Sequence, residues 1–180
     1  MTPKEIYSSV RDTYDESFRF PTNGFEGADF INTDGYQIWL AHYVKLYRPK
    51  KVLEMGRRFG NSLYALAYFL DDSSILTSYD ITEGGNVVTK PNVNILVYNG
   101  DYTSIDMESY NFIFVDINGG GVEELKYHNY LLDKEYKGVV VWDDIDSVWC
   151  PKEEFWDKVE SNKGAFDLHG IGTTGIIVYQ

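Results

Sequence analysis

Short apolar runs alternate along the chain with segments in which apolar residues recur every three or four positions. The runs predict five strands, at Val52–Met55, Ile75–Ile81, Val93–Tyr98, Asn111–Asp116 and Gly138–Asp144. The periodic segments predict helices near Lys4–Tyr14, after Asp34–Gln37, from about Ser62 to Leu70, after Gly119–Gly121 and within Pro151–Asn162. Two final runs, Ala165–His169 and Gly175–Tyr179, predict an antiparallel hairpin.

The order of these elements predicts the fold class. Strands that alternate with helices form a mostly parallel sheet with helices on its faces. Here such a sheet has seven strands, its last two forming the antiparallel hairpin, and 180 residues suffice for one domain. In sheets of this kind, ligands bind outside the carboxyl ends of the strands.

The turn after the first strand is the best candidate for a ligand site. The strand from Val52 ends on the acidic residue Glu54, and the following turn is bracketed by Gly56 and Gly60. Glycines let a backbone turn sharply and approach a ligand closely. The helix that begins near Ser62 would point free N–H groups at a bound anion.

Acidic residues end the other predicted strands as well. The complete set is Glu54, Asp80, Asp101, Asp116, Asp143 and Asp144. The first turn lacks the Gly-Lys-Ser/Thr sequence of a phosphate-binding loop, and its glycine spacing differs from the Gly-x-Gly-x-x-Gly of dinucleotide folds. The site is therefore acidic, and the common phosphate-binding motifs are excluded.

Charge and hydropathy narrow the classes of partner. The formal net charge is −12 and the pI is near 4.6, which disfavours nucleic acid as a partner. No apolar run approaches the length of a membrane span, and the N-terminus lacks the apolar core of a signal peptide, so we expect a cytoplasmic protein that does not bind membranes. The single cysteine, Cys150, is interpreted as a small buried apolar residue.

The sequence from Glu54 to Ser62, Glu-Met-Gly-Arg-Arg-Phe-Gly-Asn-Ser, resembles the first motif of class I S-adenosylmethionine (SAM)-dependent methyltransferases. It is most similar to the small-molecule O-methyltransferase branch of the catechol and macrocin type, and the similarity continues along residues 34–180. The resemblance implies a Rossmann-like fold and methyl transfer from SAM to a hydroxyl of a small-molecule acceptor. It implies that the cofactor is bound by Glu54, Gly56, Gly60, Ser62, Asp80, Asp101 and Asp116, with Asp80 at the ribose hydroxyls and Asp101 beside the adenine.

The same resemblance implies a metal site and a catalytic role for Asp116. Asp116, Asp143 and Asp144 match the three positions that bind a divalent ion such as Mg²⁺ in the metal-dependent branch, and oxygen ligands suit that ion. The family's catalytic lysine is replaced by Gly119, which leaves the general base open among Lys126, His128 and His169. Two alternatives stay open: a metal-independent methyltransferase acting on nitrogen or a protein side chain, and an inactive binding or assembly module that keeps the fold.

The N-terminal segment, residues 1–33, is rich in aromatic residues and is interrupted by proline and glycine. It is interpreted either as packing against the core of the α/β domain at residues 34–180 or as a lid over a small-molecule pocket. Its aromatic surface is also compatible with a homo-oligomer. Within the first turn, Arg57 and Arg58 are expected to be exposed at the rim, with an ion pair to a ligand carboxylate as the alternative.

Overall fold

Seven strands form one sheet in this computed structural model, which describes residues 1–14, 17–20, 35–81, 89–100, 104–167 and 173–180. The strands are β1 (Lys51–Met55), β2 (Ile75–Asp80), β3 (Asn94–Asn99), β4 (Phe112–Val115), β5 (Gly138–Trp142), β6 (Lys163–Asp167) and β7 (Thr173–Tyr179). Their spatial order is β3-β2-β1-β4-β5-β7-β6, with β7 antiparallel to β5 and β6 and all other pairs parallel. The predicted fold class is confirmed.

Four α-helices within the described residues cover the two faces of the sheet. They are α1 (Pro3–Arg11), α2 (Gly35–Tyr47), α3 (Asn61–Tyr68) and α4 (Val122–Asp133). Residues of α1, α2 and α3 share one apolar cluster with Val52 and Phe114, whereas α4 packs with Leu53 and Val115 in a second cluster. Successive residues of β1 and β4 therefore alternate between two cores, as expected for strands buried on both faces.

The N-terminal helix is part of this packing. Thr2 caps α1 through a reciprocal pair of hydrogen bonds with Glu5, and the helix ends at Arg11, three residues before the predicted end. Ile6 and Val10 are buried in the core cluster that contains α2 and α3. The described part of the N-terminal segment thus packs on the domain. Residues 15–16 and 21–33 of the segment proposed as a lid lie outside the described residues, and the lid stays a prediction.

The helix predicted within Pro151–Asn162 is wrong. The chain there forms turns and one short 3-10 helix, Trp156–Lys158. Its backbone bonds run from residue i to i−3, as in the bond from the Lys158 N–H to the Phe155 carbonyl. Phe155, Trp156 and Val159 are nevertheless buried. Tighter 3-10 turns bring these adjacent bulky side chains to the same core, which explains why the apolar spacing alone was misleading.

Asp34 before the second predicted helix, Asp101, and His169 in the predicted hairpin lie outside the described residues. Among the helices that are described, none is both long and apolar enough to cross a bilayer.

Candidate functional site

The turn after β1 is folded tightly against the end of β4. Gly56 has a left-handed φ of 88°, and a Cβ atom there would lie 1.8 Å from the backbone oxygen of Asp116. Its N–H donates to the carbonyl of Tyr79 at the end of β2, at 2.8 Å. Only glycine satisfies both the backbone angle and the close approach, so Gly56 joins the carboxyl ends of three neighbouring strands.

Gly60 completes the turn and begins α3. It has a left-handed φ of 81°, and the Tyr64 N–H donates to its carbonyl in the first turn of the helix. Gly60 has no side chain with which to cap α3, and no side-chain cap bond is formed there. The N–H groups of Asn61, Ser62 and Leu63 precede the first bond of the helical ladder and point toward the carboxyl edge of the sheet. The α3 N-terminus is thus suited to an anionic group of a ligand.

Glu54 is fully buried next to this helix N-terminus. The Ser62 hydroxyl donates to its Oε1 at 2.6 Å, and the Ser78 hydroxyl donates to its Oε2. Glu54 and Ser78 are direct partners in the register of β1 and β2. Ser78 was not predicted to be a site residue. A serine within a strand that is largely apolar and buried could have indicated a buried polar partner on the neighbouring strand.

Burial is the main influence on the ionisation of Glu54. It raises the pKa of the Glu54 carboxyl to about 7, while the hydrogen bonds from Ser62 and Ser78 and the charge of Arg57 act in the opposite direction. The negative charge of Asp80 raises the pKa further. A cationic ligand beside Glu54 would favour the ionised carboxylate.

Asp80 closes the turn from the end of β2. Its Oδ2 accepts hydrogen bonds from the backbone N–H groups of Arg57 at 3.0 Å and Arg58 at 2.9 Å. The side chain predicted to bind ribose hydroxyls therefore also fixes the backbone between the two glycines. Binding of a ribose by Asp80 stays a prediction.

The two arginines of the turn have different environments. The Arg57 side chain is only 3% exposed, so the expectation of exposure is wrong for this residue, and its charge lowers the pKa of the Glu54 carboxyl. Arg58 is exposed as expected; its guanidinium packs over the ring of Phe59, and its charge lowers the pKa of Asp116. Two adjacent basic residues in a turn are usually exposed to solvent, so the sequence did not indicate that Arg57 is buried.

A second group of acids lies at the ends of β4 and β5. Burial and the nearby charges of Asp144 and Glu54 raise the pKa of the Asp116 carboxyl to about 7. Burial and the charges of Asp116 and Asp144 raise the pKa of the Asp143 carboxyl to about 8. The structure thus brings Asp116, Asp143 and Asp144 close enough to influence one another.

These three acids do not form a ligand set for a metal ion as they are arranged. Within the described residues, no group of three histidine, cysteine, aspartate or glutamate side chains is placed to hold one ion. The Asp143 carboxylate accepts a hydrogen bond from the Thr174 hydroxyl at 3.3 Å, and Asp144 has a left-handed φ of 54°. Asp116, Asp143 and Asp144 are chemically suited to Mg²⁺, and binding of a divalent ion by them stays a prediction.

The position of the family's lysine has no room for a long side chain. A Cβ on Gly119 would lie 2.4 Å from Cβ of Glu123 and 2.7 Å from a carboxylate oxygen of Glu124. Glu124 instead accepts hydrogen bonds from the backbone N–H groups of Gly119 and Gly121, each at 2.8 Å. The loop after β4 is therefore stabilised by a buried glutamate where the resemblance would place a catalytic lysine.

Of the other candidate bases, His128 lies near the amino edge of the sheet. His128 is buried on α4, with Nδ1 2.5 Å from the hydroxyl oxygen of Tyr179, a residue paired with Gly138 at the amino end of β5. Burial lowers the pKa of His128 to about 4. Lys126 forms an exposed pair with Glu123, and His169 lies outside the described residues. A cavity of about 610 Å³ beside Tyr136 and Tyr179 also lies at the amino edge, away from the acids.

Comparisons with known proteins support the same architecture. No protein-family model matches the sequence, and the comparison with curated proteins gives no significant relative. Among solved structures, the chain is similar to an SAH-bound methyltransferase from Podospora anserina, with a TM-score of 0.61, 15% identity, and coverage of 98% of this chain and 87% of the other. SAH is S-adenosylhomocysteine, the product that remains when SAM has given up its methyl group.

Two further neighbours are O-methyltransferases. One, from Bacillus cereus in complex with SAH, has a TM-score of 0.58 and 15% identity over 98% of this chain and 90% of its own. The other, TomG from Streptomyces achromogenes in complex with SAM, has a TM-score of 0.57 and 16% identity over 98% of this chain and 89% of its own. At this level of identity the likeness concerns the fold, and the chain has the Rossmann-like fold of SAM-dependent O-methyltransferases.

Proposed function

We propose that this protein is a SAM-dependent methyltransferase that transfers a methyl group to a hydroxyl of a small molecule. The observation that carries the proposal is the uncapped N-terminus of α3 beside the buried carboxylate of Glu54. The first suits a carboxylate and the second suits an ammonium, so together they are complementary to the two charged groups of an α-amino acid.

The charge balance of the site supports a cationic cofactor. The charge of Asp80 raises the pKa of both the Glu54 and the Asp116 carboxyl, and the charges of Arg57 and Arg58 lower the pKa of Glu54 and of Asp116 respectively. Three carboxylates against two guanidinium groups leave an excess of negative charge when all are ionised. SAM carries a sulfonium and an ammonium against one carboxylate, whereas a nucleotide phosphate would be repelled.

The residues of the chain would divide the cofactor between them. The buried negative charge of Glu54 would attract the ammonium, the N–H groups that open α3 would donate to the carboxylate, and Asp80 would accept from the ribose hydroxyls. When SAM is bound, it supplies an activated methyl group for in-line attack by the acceptor oxygen. The chain contributes orientation of the two reactants, which is the larger part of what such a transfer needs.

The acceptor side of the site is proposed to be the region around the β4 and β5 ends. The backbone carbonyl of Trp149 accepts from the Gly120 N–H at 3.0 Å and so joins the loops that follow these two strands. Val148 and Trp149 are largely exposed there, at 86% and 59%. Such apolar surface suits an aromatic or otherwise apolar alcohol. Asp116, with its raised pKa, is the proposed catalytic residue beside the reacting hydroxyl.

The proposal includes no metal-dependent step, because the three acids do not form a ligand set as arranged. Methyl transfer should therefore be assayed with a panel of hydroxyl acceptors in the presence of EDTA and, separately, of Mg²⁺. Equal rates would support the metal-independent route, and loss of activity in EDTA would assign a metal to the acids at the β4 and β5 ends.

Binding is the first experiment. Calorimetry with SAM and SAH should show binding of both, and the absence of heat at millimolar ligand would contradict the cofactor assignment.

The lack of space for a side chain at Gly119 favours one alternative function, a binding module that keeps the fold and lacks the chemistry. Binding of SAM without turnover on nitrogen, protein and hydroxyl acceptors would support that alternative.

A further inference from the structure

Ser78 is a fully buried serine on β2, and its hydroxyl has a specific hydrogen-bond partner. It lies on β2 directly opposite Glu54 on β1, and its hydroxyl donates to Oε2 of that carboxylate. The Ser62 hydroxyl donates to the other oxygen at 2.6 Å. Each oxygen of Glu54 therefore has one hydroxyl donor from a different element of the fold.

This pair of donors determines which form of Glu54 a ligand meets. A buried carboxylate without donors is costly and tends to take up a proton. A protonated carboxyl group would have to donate its own hydrogen and would be a poor acceptor for an ammonium. The charged groups that act on Glu54 are Arg57, which favours the ionised form, and Asp80 and Asp116, which disfavour it. The two hydroxyls thus add to Arg57 in opposing the cost of burial.

The hydroxyls also limit the orientation of the carboxylate. Ser78 is held by the β1 and β2 ladder and Ser62 by α3, so the two donors are fixed on rigid elements. Donors on both oxygens hold the plane of the carboxylate between the strand and the helix. The negative charge of Glu54 is then held in one place beside the α3 N-terminus, where it would attract an ammonium without being exposed.

We propose that Ser78 is a positioning residue for recognition of the amino-acid end of the cofactor, acting through Glu54 rather than by touching the ligand. The inference rests on the proposed function and adds a specificity to it. Ligands with an α-ammonium gain from the oriented carboxylate, whereas nucleosides that lack an amino-acid end gain nothing from it.

Two ligands separate these cases. SAH carries the amino-acid end, and 5′-methylthioadenosine carries the same nucleoside and a thioether without it. The affinity of each should be measured by calorimetry for the unmodified protein and for Ser78→Ala. We expect Ser78→Ala to weaken SAH about tenfold, the effect of losing one hydrogen bond to a charged group, and to leave methylthioadenosine unchanged.

Ser74 provides a matched control. It is another fully buried serine, at the turn before β2, and its hydroxyl has no hydrogen-bond partner within the described residues. Ser74→Ala removes the same atom from the same region, and it should leave the ratio of the two affinities unchanged. If Ser78→Ala does not fold, Ser78→Cys keeps the size of the side chain and replaces the hydroxyl with a weak donor, and it permits the same comparison.

A double-mutant cycle with Glu54→Gln tests whether Ser78 acts through Glu54. If it does, Ser78→Ala has little further effect on SAH binding once Glu54 is replaced. Full additivity would overturn the inference, as would an equal loss of affinity for both ligands in Ser78→Ala, or no loss for either. If the unmodified protein binds neither ligand, the proposed function fails and the inference fails with it. If it binds both ligands and Ser78→Ala does not change the ratio of their affinities, only the inference fails and the proposed function stands.

Discussion

The Oδ2 atom of Asp80 accepts a hydrogen bond of 2.9 Å from the backbone N–H of Arg58. The same oxygen accepts from the N–H of Arg57 at 3.0 Å. An acid at the end of β2 thereby fixes the backbone of the turn after β1, on which the proposed cofactor site depends. Asp80 thus has a structural role that is independent of any contact with a ribose.

Replacement of Asp80 should separate these two roles. Asp80→Ala removes both, and we expect it to weaken SAH binding by about 1–3 kcal/mol and to lower the free energy of unfolding. Asp80→Asn keeps an oxygen that can accept from the two N–H groups, so its stability should be closer to that of the unmodified protein while its affinity is reduced. Calorimetry and urea unfolding measure the two quantities.

The exposed Asp106 offers a control for the removal of a carboxylate. Asp106→Ala should change neither affinity nor stability appreciably. If Asp80→Ala binds SAH as tightly as the unmodified protein, the ribose-binding role is contradicted. If its stability is also unchanged, the two backbone hydrogen bonds contribute nothing measurable to the turn.

Gly56 should tolerate no side chain. Gly56→Ala would place its Cβ 1.8 Å from the Asp116 carbonyl and would force an L-residue into a left-handed conformation. We expect a loss of about 3 kcal/mol in the free energy of unfolding, measured in urea, from the combined clash and strain. Gly120 also has a left-handed φ but has open space around it, so Gly120→Ala isolates the strain alone. Similar losses in the two variants would show that the contact with Asp116 relaxes without cost.

The sequence was sufficient to predict the sheet and the acidic rim because both follow from local pattern. The apolar runs of β1, β4 and β5 are long enough to indicate burial, and the acids at their ends mark the carboxyl edge. β3 is partly exposed, and Asp101 after it lies outside the described residues. Ser78 was missed for a different reason: its partner Glu54 is 24 residues away and is brought to it by the parallel register of β1 and β2. Contacts of that kind depend on register, which short-range periodicity does not determine.

The metal site and the buried arginine show the same limit. The three acids at Asp116, Asp143 and Asp144 have the correct residue types for Mg²⁺, but the directions of their carboxylates depend on neighbours such as Thr174 on β7. Arg57 is covered because the turn folds back toward β2, where Asp80 accepts from its N–H. The chemistry that the residue types allow could therefore be inferred from the sequence at these positions, whereas the side-chain geometry depended on tertiary packing.

The stability of the ligand-free protein should fall as the pH rises above 6.5. The pKa values of Glu54 and Asp116 are raised to about 7 and that of Asp143 to about 8, from 4.5 for glutamate and 3.8 for aspartate in an unfolded chain. Between the unfolded and folded values the folded chain binds more protons, so the free energy of unfolding decreases with pH.

The buried histidines act in the opposite direction, but in a lower pH range. Burial lowers the pKa values of His42 and His128 from 6.5, so their effect on stability is confined to pH values below about 6.5. The decline due to the acids is then visible between about pH 6.5 and 8.5. Urea unfolding across this range should show a smaller decline in Glu54→Gln, which cannot ionise, whereas the exposed Glu108→Gln should behave like the unmodified protein. A flat profile in the unmodified protein would contradict the raised pKa values.

Trp149 should determine affinity for the acceptor and not for the cofactor. Its backbone carbonyl accepts from the Gly120 N–H in the loop after β4, and the residue is largely exposed. Once an acceptor is identified, Trp149→Ala should raise its KM by about tenfold through loss of aromatic contact, with the Kd for SAH unchanged. Leu132→Ala removes an exposed apolar side chain beside the cavity at the opposite edge of the sheet, and it should change neither constant. An unchanged acceptor KM in Trp149→Ala would place the acceptor elsewhere on the carboxyl edge. A loss of SAH affinity in the same variant would mean that the loop after β5 supports the cofactor site as a whole.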